Sequence, residues 1–383
     1  MIEVDRTFWL HRRVLVTGHT GFKGTWLCAC LAELGAELVG YAHPPSIQSL
    51  LHRSAGLVQR MISVNGDIRD SERLGQLIAI REPEIIFHLA GQPLVLRSLK
   101  DPVETFDINT MGTLNLLRAA SRSRHLRAVV VVTSDKCYEP ATLPHREDDR
   151  LGGIDPYSAS KAAAEIIASC FSRCFLTPED GTGIATARAG NVIGGGDFST
   201  NRLMPDLVRA ARTGQPVRIR HPEATRPWQH VLDVLRGYML LAEALARDPA
   251  RFAGAWNFGP SSPAGCWSVG RVARAVTARF GGSVEIHPPA QSVETATLML
   301  DSSKAARELG YEPWLDTAAA IDFTLDGYRR LFEAPERNWL REQIADYDDL
   351  TAMPAHLKEA GLAARVLDGM RRDGGRVHVR EPS

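Results

Sequence analysis

Short apolar runs rich in β-branched residues recur along the first half of the chain and predict strands. They lie at 13–18, 37–41, 61–67, 84–91 and 128–134. The runs are apolar without alternation, as in strands that are covered on both faces. Segments with the pattern of helices lie at 23–35, 70–81, 102–121 and 157–175. Strict alternation of strand and helix predicts an α/β fold, a Rossmann-type doubly wound parallel sheet.

The alternation ends near residue 190, which predicts a second lobe. A chain of 383 residues has room for it, because single cores rarely grow beyond ~250–300 residues. We expect a Rossmann domain in 1–190 and a smaller α/β substrate-binding lobe in 191–335, with some exchange of chain between the lobes. The remainder, 336–383, is expected to be a C-terminal extension that is peripheral or partly disordered.

Composition and charge narrow the class of protein. The 45 basic and 45 acidic residues balance, so nucleic acid or anionic lipid is not expected as a partner. The start of the chain has acidic residues and only a four-residue apolar run, which predicts neither a signal peptide nor a membrane span and favours a cytoplasmic protein. The six cysteines fit no paired zinc pattern, so we expect buried, reduced thiols and no metal site.

A glycine-rich turn follows the first predicted strand. It has the spacing G-x-x-G-x-x-G and includes Gly18, Thr20, Gly21, Phe22 and Gly24. Glycines here allow a tight turn and close approach of the backbone, so that a pyrophosphate can lie on the amides of a helix N-terminus. The alternative is that glycine is needed only for the strand-to-helix turn. The turn lacks the Gly-Lys-Ser/Thr ending of a nucleotide triphosphatase loop, which argues against ATP hydrolysis.

The ends of the next two strands bear on the choice of dinucleotide. The second strand ends in Gly40-Tyr41-Ala42-His43, with neither an acidic residue for ribose hydroxyls nor an arginine for a 2′-phosphate. This mildly favours NAD over NADP. Asp67, after the third strand, is a candidate adenine contact. Its alternative role is to cap the turn or helix that starts near Ser71.

Tyr157 and Lys161 are four residues apart on a predicted helix and therefore lie on one face. A lysine beside a tyrosine lowers the pKa of the phenol, so that Tyr157 can take a proton from a sugar hydroxyl while hydride leaves. Chance could also produce such a pair. Lysine is scarce, however, and three of the six lysines, Lys23, Lys136 and Lys161, lie in candidate motifs.

Together these motifs resemble the extended short-chain dehydrogenase/reductase family, which also has an Asn like Asn109 in NTMGT. The blocks GHTGFKG, FHLAGQPLV, TSDKCYE, GGIDPYSASK, RAGNVIGGGD and RPWQHVL are similar to its sugar-nucleotide dehydratase/epimerase branch, in particular to the CDP-glucose 4,6-dehydratases. The similarity extends to about residue 347. It implies NAD as cofactor, with Ile68, Leu89 and Ala90 adding to the glycine turn and Asp67.

The resemblance also implies a three-stage reaction. NAD oxidises the C4 hydroxyl with Tyr157 as base, water is eliminated across C5 and C6, and the hydride returns to C6. Ser134, Asp135 and Lys136 follow the fifth strand, where this chemistry is expected. We assign Asp135 as the C6 acid and Lys136 as the C5 base, which requires a neutral lysine. Ser134 is expected to bond the C4 oxygen. The alternatives are a surface Asp–Lys pair and a capping serine.

The resemblance places the sugar nucleotide against Asn191 and Arg226, which match positions that hold its diphosphate, and near His230. A surface ion pair is the alternative for Arg226. His19 is expected to be solvated, as loop histidines usually are, and a contact with the cofactor phosphate is the alternative. The loop between Cys137 and Gly152, and Arg97-Ser98, depart from the CDP-glucose group and leave the nucleotide base open.

The expected activity is therefore conversion of CDP-glucose to CDP-4-keto-6-deoxyglucose and water, in deoxysugar biosynthesis. Another nucleotide hexose is an alternative substrate. A sugar-nucleotide 4-epimerase is the alternative enzyme, although epimerases of this family usually have small residues where Asp135-Lys136 stand. An NAD-binding sensor without catalysis is a further alternative. The family suggests a homodimer, or a tetramer, formed through helices 102–121 and 157–175.

Overall fold

The computed structural model describes residues 3–44, 50–140, 144–260, 266–287, 298–335 and 337–352. The strands are β1 (Arg13–Thr17), β2 (Glu37–Ala42), β3 (Met61–Asn65), β4 (Ile85–His88), β5 (Ala128–Val132), β6 (Gly183–Ala189), β7 (Val192–Ile193), β8 (Val217–Ile219), β9 (Thr225–Arg226), β10 (Gln229–His230), β11 (Gly254–Phe258), β12 (Trp267–Ser268) and β13 (Val284–Ile286).

The helices are α1 (Arg6–Trp9), α2 (Phe22–Glu33), α3 (Leu50–Ser54), α4 (Ser71–Arg81), α5 (Val95–Lys100), α6 (Pro102–Phe106), α7 (Gly112–Ala120), α8 (Pro156–Cys174), α9 (Leu203–Thr213), α10 (Val231–Arg247), α11 (Pro249–Phe252), α12 (Val269–Phe280), α13 (Ser303–Leu309), α14 (Thr317–Glu333) and α15 (Trp339–Thr351). A π-helical turn, Asp107–Met111, joins α6 to α7, and short 3₁₀ turns lie at Asp135–Cys137 and Pro178–Asp180.

Seven parallel strands form the central sheet in the order β11-β6-β5-β4-β1-β2-β3. The chain runs outward from β1 through β2 to β3 and then crosses back, so that β4 pairs with the other side of β1. Ligands of open α/β sheets bind at the carboxyl ends of the strands where the order reverses. The predicted Rossmann-type sheet is confirmed, and its reversal places the β1 and β4 loops side by side.

The second lobe contains three two-stranded sheets, β10-β7, β12-β9 and β13-β8, with α9 and α12 beside them. The chain then returns to the first lobe. Helix α10 is buried along most of its length, and β11 extends the central sheet next to β6. Residues 231–258 therefore pack with the first lobe although they follow residue 190, and the domain bounds stay a prediction.

Helix α15 lies within the segment expected to be peripheral, but its apolar face is buried. The indole of Trp339 packs edge-to-face on Trp26 of α2, with ring centroids 5.5 Å apart. Tyr347 Oη donates a hydrogen bond of 2.6 Å to Asp233 Oδ1 of α10. Residues 337–352 are therefore part of the core, because α2 presents an apolar outer surface that needs a cover. Residues 353–383 lie outside the described residues.

The six cysteines differ in exposure, and Cys266 is half-buried. Cys28, Cys30 and Cys137 are buried free thiols, and burial raises the pKa of each. Cys170 and Cys174 are exposed on α8, so the expectation of burial is wrong for these two. No helix in the described part of the chain has the length and apolar character needed to cross a membrane.

Candidate active site

The loop from β1 into α2 has the geometry of a phosphate cradle. Gly18 adopts a φ of +75°, and its amide donates to Tyr41 O at 2.9 Å while its carbonyl accepts from Gly21 N at 3.0 Å. Gly21 is the N-cap of α2 and has no side chain to satisfy the amides of the first turn. Those amides and the positive end of the helix dipole remain available to an anion, as a dinucleotide pyrophosphate requires.

Close backbone approach explains the outer glycines of the motif. A methyl group on Gly24 would lie 2.1 Å from Gly18 O, and one on Gly18 would lie 2.7 Å from Ala90 N. Neither position has room for a Cβ atom. Thr20 and Phe22 are half-buried in the same turn, and Thr20 Oγ1 donates to His43 O at 3.1 Å. The chain therefore fits the pyrophosphate of NAD at the predicted residues.

His19 is fully buried, contrary to the expected solvated loop position. Its ring lies over Gly40, where a methyl group would be 2.3 Å from His19 Cγ, and its Nε2 lies 2.7 Å from Ser63 Oγ. Burial and the nearby His52 ring lower the pKa of His19 to about 4. Its Nδ1 has no hydrogen-bond partner among the described residues. The glycine of the second strand thus accommodates this ring.

Asp67 does not cap α4, because Asp70 is the N-cap residue of that helix. The Asp67 carboxylate instead accepts hydrogen bonds from the backbone and guanidinium of Arg69, which lower its pKa. His43 Nε2 lies 3.4 Å from the same carboxylate. The next residue, Ile68, is buried beneath Gly112 of α7. Asp67 therefore stays at the β3 edge of the crevice, where an adenine contact remains a proposal.

The loop after β4 closes the other side of the crevice. Leu89 N donates to Thr17 O at 3.1 Å, and Ala90 N donates to Thr17 Oγ1 at 3.3 Å. A methyl group on Gly91 would lie 3.4 Å from Lys161 Nζ. The predicted residues Leu89 and Ala90 thus adjoin both the glycine turn and the catalytic helix.

Asn109 links that loop to α8 from inside the π-helical turn. Its Oδ1 accepts from Gln92 N at 2.7 Å, and its Nδ2 donates to Gln92 O at 3.1 Å and to Ser160 Oγ at 2.9 Å. A π-helical turn inserts one extra residue and directs its side chains differently from an α-helix. The insertion lets one buried amide fix both the β4 loop and α8.

Tyr157 and Lys161 lie on one face of α8, as predicted, and both are buried. Lys161 Nζ donates to Val132 O at 3.1 Å, and burial lowers the pKa of Lys161 to about 8. Burial raises the pKa of Tyr157, opposed by a hydrogen bond with Ser134 and by the charge of Arg202. The expected lowering of the phenol pKa is therefore absent from the isolated chain, because desolvation outweighs the nearby cations.

Ser134 has the capping role that was its alternative, and its bond to the C4 oxygen stays a prediction. Its Oγ caps the 3₁₀ turn by accepting from Lys136 N at 3.2 Å, and it lies close enough to Tyr157 to oppose the rise in the pKa of the phenol. The same hydroxyl donates to Asp135 Oδ1 at 2.9 Å. One serine thus connects the phenol and the carboxyl group across the end of β5.

Asp135 is not a surface residue. Its carboxyl group is buried, and Oδ2 has no partner among the described residues. Gly190 makes room for it, since a methyl group there would lie 1.8 Å from Oδ2. Burial raises the pKa of Asp135, while Lys136, Ser134, Arg226 and Lys23 oppose the rise. A carboxyl group with a raised pKa and a bare oxygen suits an acid that donates a proton.

Two lysines flank this carboxyl group in different environments. The side chain of Lys136 is half-buried, and its positive charge opposes the rise in the pKa of Asp135. Lys23 is on the first turn of α2, and its Nζ lies 3.5 Å from Tyr238 Oη. Burial and the charges of Arg202 and Lys161 lower the pKa of Lys23 to about 7. Desolvation is the largest cause of this shift in the pKa of Lys23.

A buried ion pair supports the catalytic elements from behind. Arg188 of β6 donates to Glu165 Oε2 of α8 at 2.7 Å and to Tyr138 Oη at 2.6 Å. Glu165 also accepts hydrogen bonds from Thr133, which follows β5, and from Thr186 of β6. The pair joins β5, β6 and α8 one turn away from Lys161.

The predicted substrate residues have separate environments. Asn191 has a positive φ of 44° directly after Gly190, and Arg226 is half-buried and lowers the pKa of Asp135. Both therefore adjoin the catalytic end of the sheet. His230 is fully buried, and its Nδ1 accepts from Leu232 N at 3.3 Å as the cap of α10. Since His230 packs between aromatic rings, the structure gives it a core position and not a ligand-facing one.

The other residues near this segment are also structural. Trp228 is buried with its Nε1 donating to Trp267 O at 2.9 Å. A methyl group on Gly195 would lie 2.8 Å from the Gly327 backbone, so this glycine allows α14 to pack closely. Arg97 pairs on the surface with Glu104 at 2.7 Å. None of these three needs a ligand to account for its position.

Sequence reasoning missed several residues of the site. Ser98 Oγ accepts from Tyr157 N at 3.1 Å and holds the start of α8. Arg202 acts on both Tyr157 and Lys23, although it precedes α9 in the second lobe. Only the scarcity of lysine marked Lys23 in the sequence. Contacts between segments so far apart in the chain leave no local pattern.

Comparison with known proteins identifies the family of this chain. Residues 14–259 match the NAD dependent epimerase/dehydratase family. This range exceeds half of the chain, which therefore belongs to the NAD-dependent epimerase/dehydratase family, and NAD is its cofactor.

The relatives include enzymes of both kinds. CDP-glucose 4,6-dehydratase of Salmonella typhimurium is 44% identical over 323 residues, covering 81% of this chain and 88% of the relative. UDP-glucose 4-epimerase of Halalkalibacterium halodurans is 26% identical, covering 78% and 90%. Among solved structures, MoeE5 in complex with UDP-glucose and NAD has a TM-score of 0.72 and 25% identity, covering 84% of this chain and 99% of the other.

The cradle generates a first prediction. Gly24→Ala forces a methyl group against the backbone of Gly18 and should weaken NAD binding at least ~10-fold, because the amides of the turn move apart. NAD affinity is measured by calorimetry. Gly75→Ala in α4 is the control, since nothing lies within 4 Å of the added methyl group. It should leave NAD binding unchanged and stabilise the protein by ~0.5–1 kcal/mol. Equal NAD affinity in the Gly24 variant would contradict the assigned cradle.

Proposed function

We propose that this chain is a sugar-nucleotide 4,6-dehydratase that converts CDP-glucose to CDP-4-keto-6-deoxyglucose and water. One observation carries the proposal: the buried carboxyl group of Asp135, with one unpartnered oxygen, is joined through Ser134 to Tyr157. An enzyme that only exchanges hydride at C4 has no use for an additional buried acid. The identity of 44% to a CDP-glucose 4,6-dehydratase supports both the reaction and the nucleotide.

Bound NAD supplies a hydride acceptor that becomes a hydride donor, and in its oxidised form a positive charge. Gly18, Gly21 and Gly24 would hold its pyrophosphate on the first turn of α2. The protein's own groups manage the protons. Tyr157 accepts the proton of the C4 hydroxyl, and Ser134 orients that oxygen through the hydrogen bond it shares with the phenol.

Elimination requires a base at C5 and an acid at C6. Asp135 is assigned as the acid, because burial favours its protonated form and its free oxygen is available to the departing hydroxyl. Lys136 is assigned as the C5 base. Its partial exposure allows the side chain to reach a substrate in the crevice, while the adjacent Asp135 contributes no hydrogen bond to it. Elimination of water leaves the 4-keto group conjugated and ready for reduction at C6.

The sugar nucleotide is assigned to the crevice between the lobes. Arg226 carries a guanidinium suited to paired phosphate oxygens. Asn191 directly follows Gly190, whose missing side chain makes room for the carboxyl group of Asp135. The cations Lys23, Arg202 and Arg226 all act on the catalytic groups. These positive charges complement the negative charge of a diphosphate.

We further propose that the chain forms homodimers through α6, α7 and α8. Large apolar side chains are exposed there, including Val103 at 73% and Ile166 at 60%. Phe106 and Met111 add to the same apolar surface. A second copy of this surface would remove these groups from water.

The substrate assignment is tested by incubating the protein with NAD and, in parallel, CDP-glucose, dTDP-glucose, UDP-glucose and GDP-mannose. CDP-glucose should give a 4-keto-6-deoxy product without net consumption of NAD, and in deuterated water the product should be labelled at C5. Mass spectrometry and NMR of the sugar measure both. If only a different nucleotide sugar is turned over, the enzyme is specific for that substrate and not for CDP-glucose. A C4 epimer as the only product would replace the dehydratase by an epimerase, and binding without turnover would favour a sensor.

Variants at the strand end separate the two proton transfers. Asp135→Asn should retain deuterium exchange at C5 and lower product formation ~10²–10⁴-fold, because the leaving hydroxyl loses its acid. Lys136→Ala should lose the exchange itself. In the parent enzyme, elimination should slow as pH rises through the raised pKa of Asp135, since only the protonated carboxyl donates. Asp148→Asn, an exposed position, is the control. Full turnover by Lys136→Ala would exclude that residue as the base.

Charge on the apolar surface tests the dimer. Val103→Glu and Ile166→Glu should each shift the protein to monomers in sedimentation velocity, because buried carboxylates would face each other across the two-fold axis. Val58→Glu alters a residue that is 81% exposed elsewhere and should leave the sedimentation coefficient unchanged. Identical sedimentation of all four proteins would place the interface elsewhere.

A further inference from the structure

The base assigned above, Lys136, lies in the 3₁₀ turn that begins a loop from the end of β5 to the start of α8. Of the residues that follow the base, 138–140 and 144–151 are described. The outgoing and returning parts of this loop meet two residues after the base, where Tyr138 and Leu151 form an antiparallel bridge. The position of the base therefore depends on the contacts that hold this loop in place.

Asn257 of β11 holds the loop from the edge of the central sheet, and its side chain is fully buried. Its Oδ1 accepts from Tyr138 Oη at 2.7 Å, and its Nδ2 donates to His145 O at 2.9 Å. Its backbone amide donates to Glu147 Oε1 at 3.0 Å. An edge strand has amide groups that no neighbouring strand pairs, and β11 is at the edge. One residue thus binds the loop at three points.

The same side chain also binds a segment that follows the second lobe. Asn257 Nδ2 donates to Asp301 O at 3.3 Å. His145 N donates to Met299 O and Asp301 N donates to His145 O, at 2.9 and 2.8 Å, so the loop and this segment pair like parallel strands. The ring of His145 stacks on that of Tyr138 with centroids 4.5 Å apart. Because buried polar groups that lose their partners are costly, loss of the Asn257 amide would displace the loop.

The groups assigned to oxidation at C4 are held by different contacts. Tyr157 N donates to Ser98 Oγ at 3.1 Å, and Lys161 Nζ donates to Val132 O at 3.1 Å. The hydrogen bonds of the Asn257 side chain go instead to the loop and to the segment that pairs with it. The C4 step and the C5 step therefore depend on separate supports.

We propose that Asn257 is a positioning residue for the C5 base and acts by fixing the loop that follows Lys136. This inference rests on the proposed function, because it takes Lys136 as the base. A displacement of ~1 Å in a reacting group can cost ~10²-fold in rate. Loss of Asn257 should therefore slow deprotonation at C5 and leave hydride transfer at C4 largely intact.

The test compares two rates in the NAD-loaded protein, with CDP-glucose in deuterated water. Oxidation at C4 is followed as NADH fluorescence in the first turnover, and deprotonation at C5 as deuterium at C5 of the recovered sugars, by NMR. Asn257→Leu should lower C5 labelling ~10²-fold. It should change the rate of C4 oxidation by no more than about twofold, as expected for independent sites. NADH should then accumulate, because the 4-keto sugar is not deprotonated.

Two further variants separate positioning from folding. Tyr138→Phe removes the hydroxyl group that donates to Asn257 and should show the same selective loss, ~10-fold, which decides the matter if Asn257→Leu does not fold. Gln343→Leu is the matched control, since Gln343 is a fully buried amide whose Nε2 donates to Phe323 O at 2.7 Å and to Asp326 Oδ2 at 3.3 Å. It should lower the unfolding temperature and leave the ratio of the two rates at the parent value.

Two outcomes would overturn the inference. If Asn257→Leu and Tyr138→Phe slowed both steps equally, Asn257 would support the whole site and not the base. If C5 labelling kept the parent rate in a folded Asn257→Leu variant, the base would not depend on this residue. Failure of the proposed function looks different: the parent protein then gives no C5 label, or Lys136→Ala retains full turnover. Loss of the label in Lys136→Ala together with its retention in Asn257→Leu would reject the inference alone.

Discussion

A buried ion pair between Glu165 and Arg188 holds together the elements on which the candidate chemistry depends. Glu165 extends from the catalytic helix, Arg188 from β6, and Thr133 binds the same carboxylate directly before Ser134. Burying two charges costs several kcal/mol per ion unless hydrogen bonds satisfy them, and here two threonines and Tyr138 do so. Loss of either partner would leave an isolated charge. The pair therefore fixes how far α8 stands from the ends of β5 and β6.

Around that anchor, the site is organised by unequal desolvation. Asp135, Tyr157, Lys161 and Lys23 are each taken out of water to different degrees, and burial is the largest cause of every one of their pKa shifts. Neighbouring charges then oppose or add to these shifts in pKa. Cations oppose the rise in the pKa of Asp135. Burial lowers the pKa of both lysines; the charges of Arg202 and Lys161 add to the shift of Lys23, while Glu165 opposes that of Lys161. Acid and base roles arise from this arrangement of four groups.

Much of this could be read from the chain. The β-branched runs predicted β1 to β5 within a few residues, the glycine spacing located the cradle, and the four-residue spacing of Tyr157 and Lys161 placed them on one face. Local patterns suffice where the chemistry is local. His19, His230 and α15 were misjudged because their environments come from distant segments. Gly40 makes room for His19, rings of α2 and α14 pack on His230, and α2 packs against α15. The same distance hid the approach of Lys23 to Tyr238.

Because α15 packs on α2, the two ends of the chain have to meet before the apolar face of α2 is buried. Trp26 is synthesised early, and its edge-to-face partner Trp339 is among the last residues of the described chain. Trp9 depends in the same way on Glu243, to which its indole donates at 2.7 Å. At ~5–20 residues per second, the ribosome needs roughly 15–60 s to bridge the interval from Trp26 to Trp339. The nascent Rossmann half therefore carries an uncovered apolar helix face for that time, and apolar surface exposed in this way is prone to aggregate.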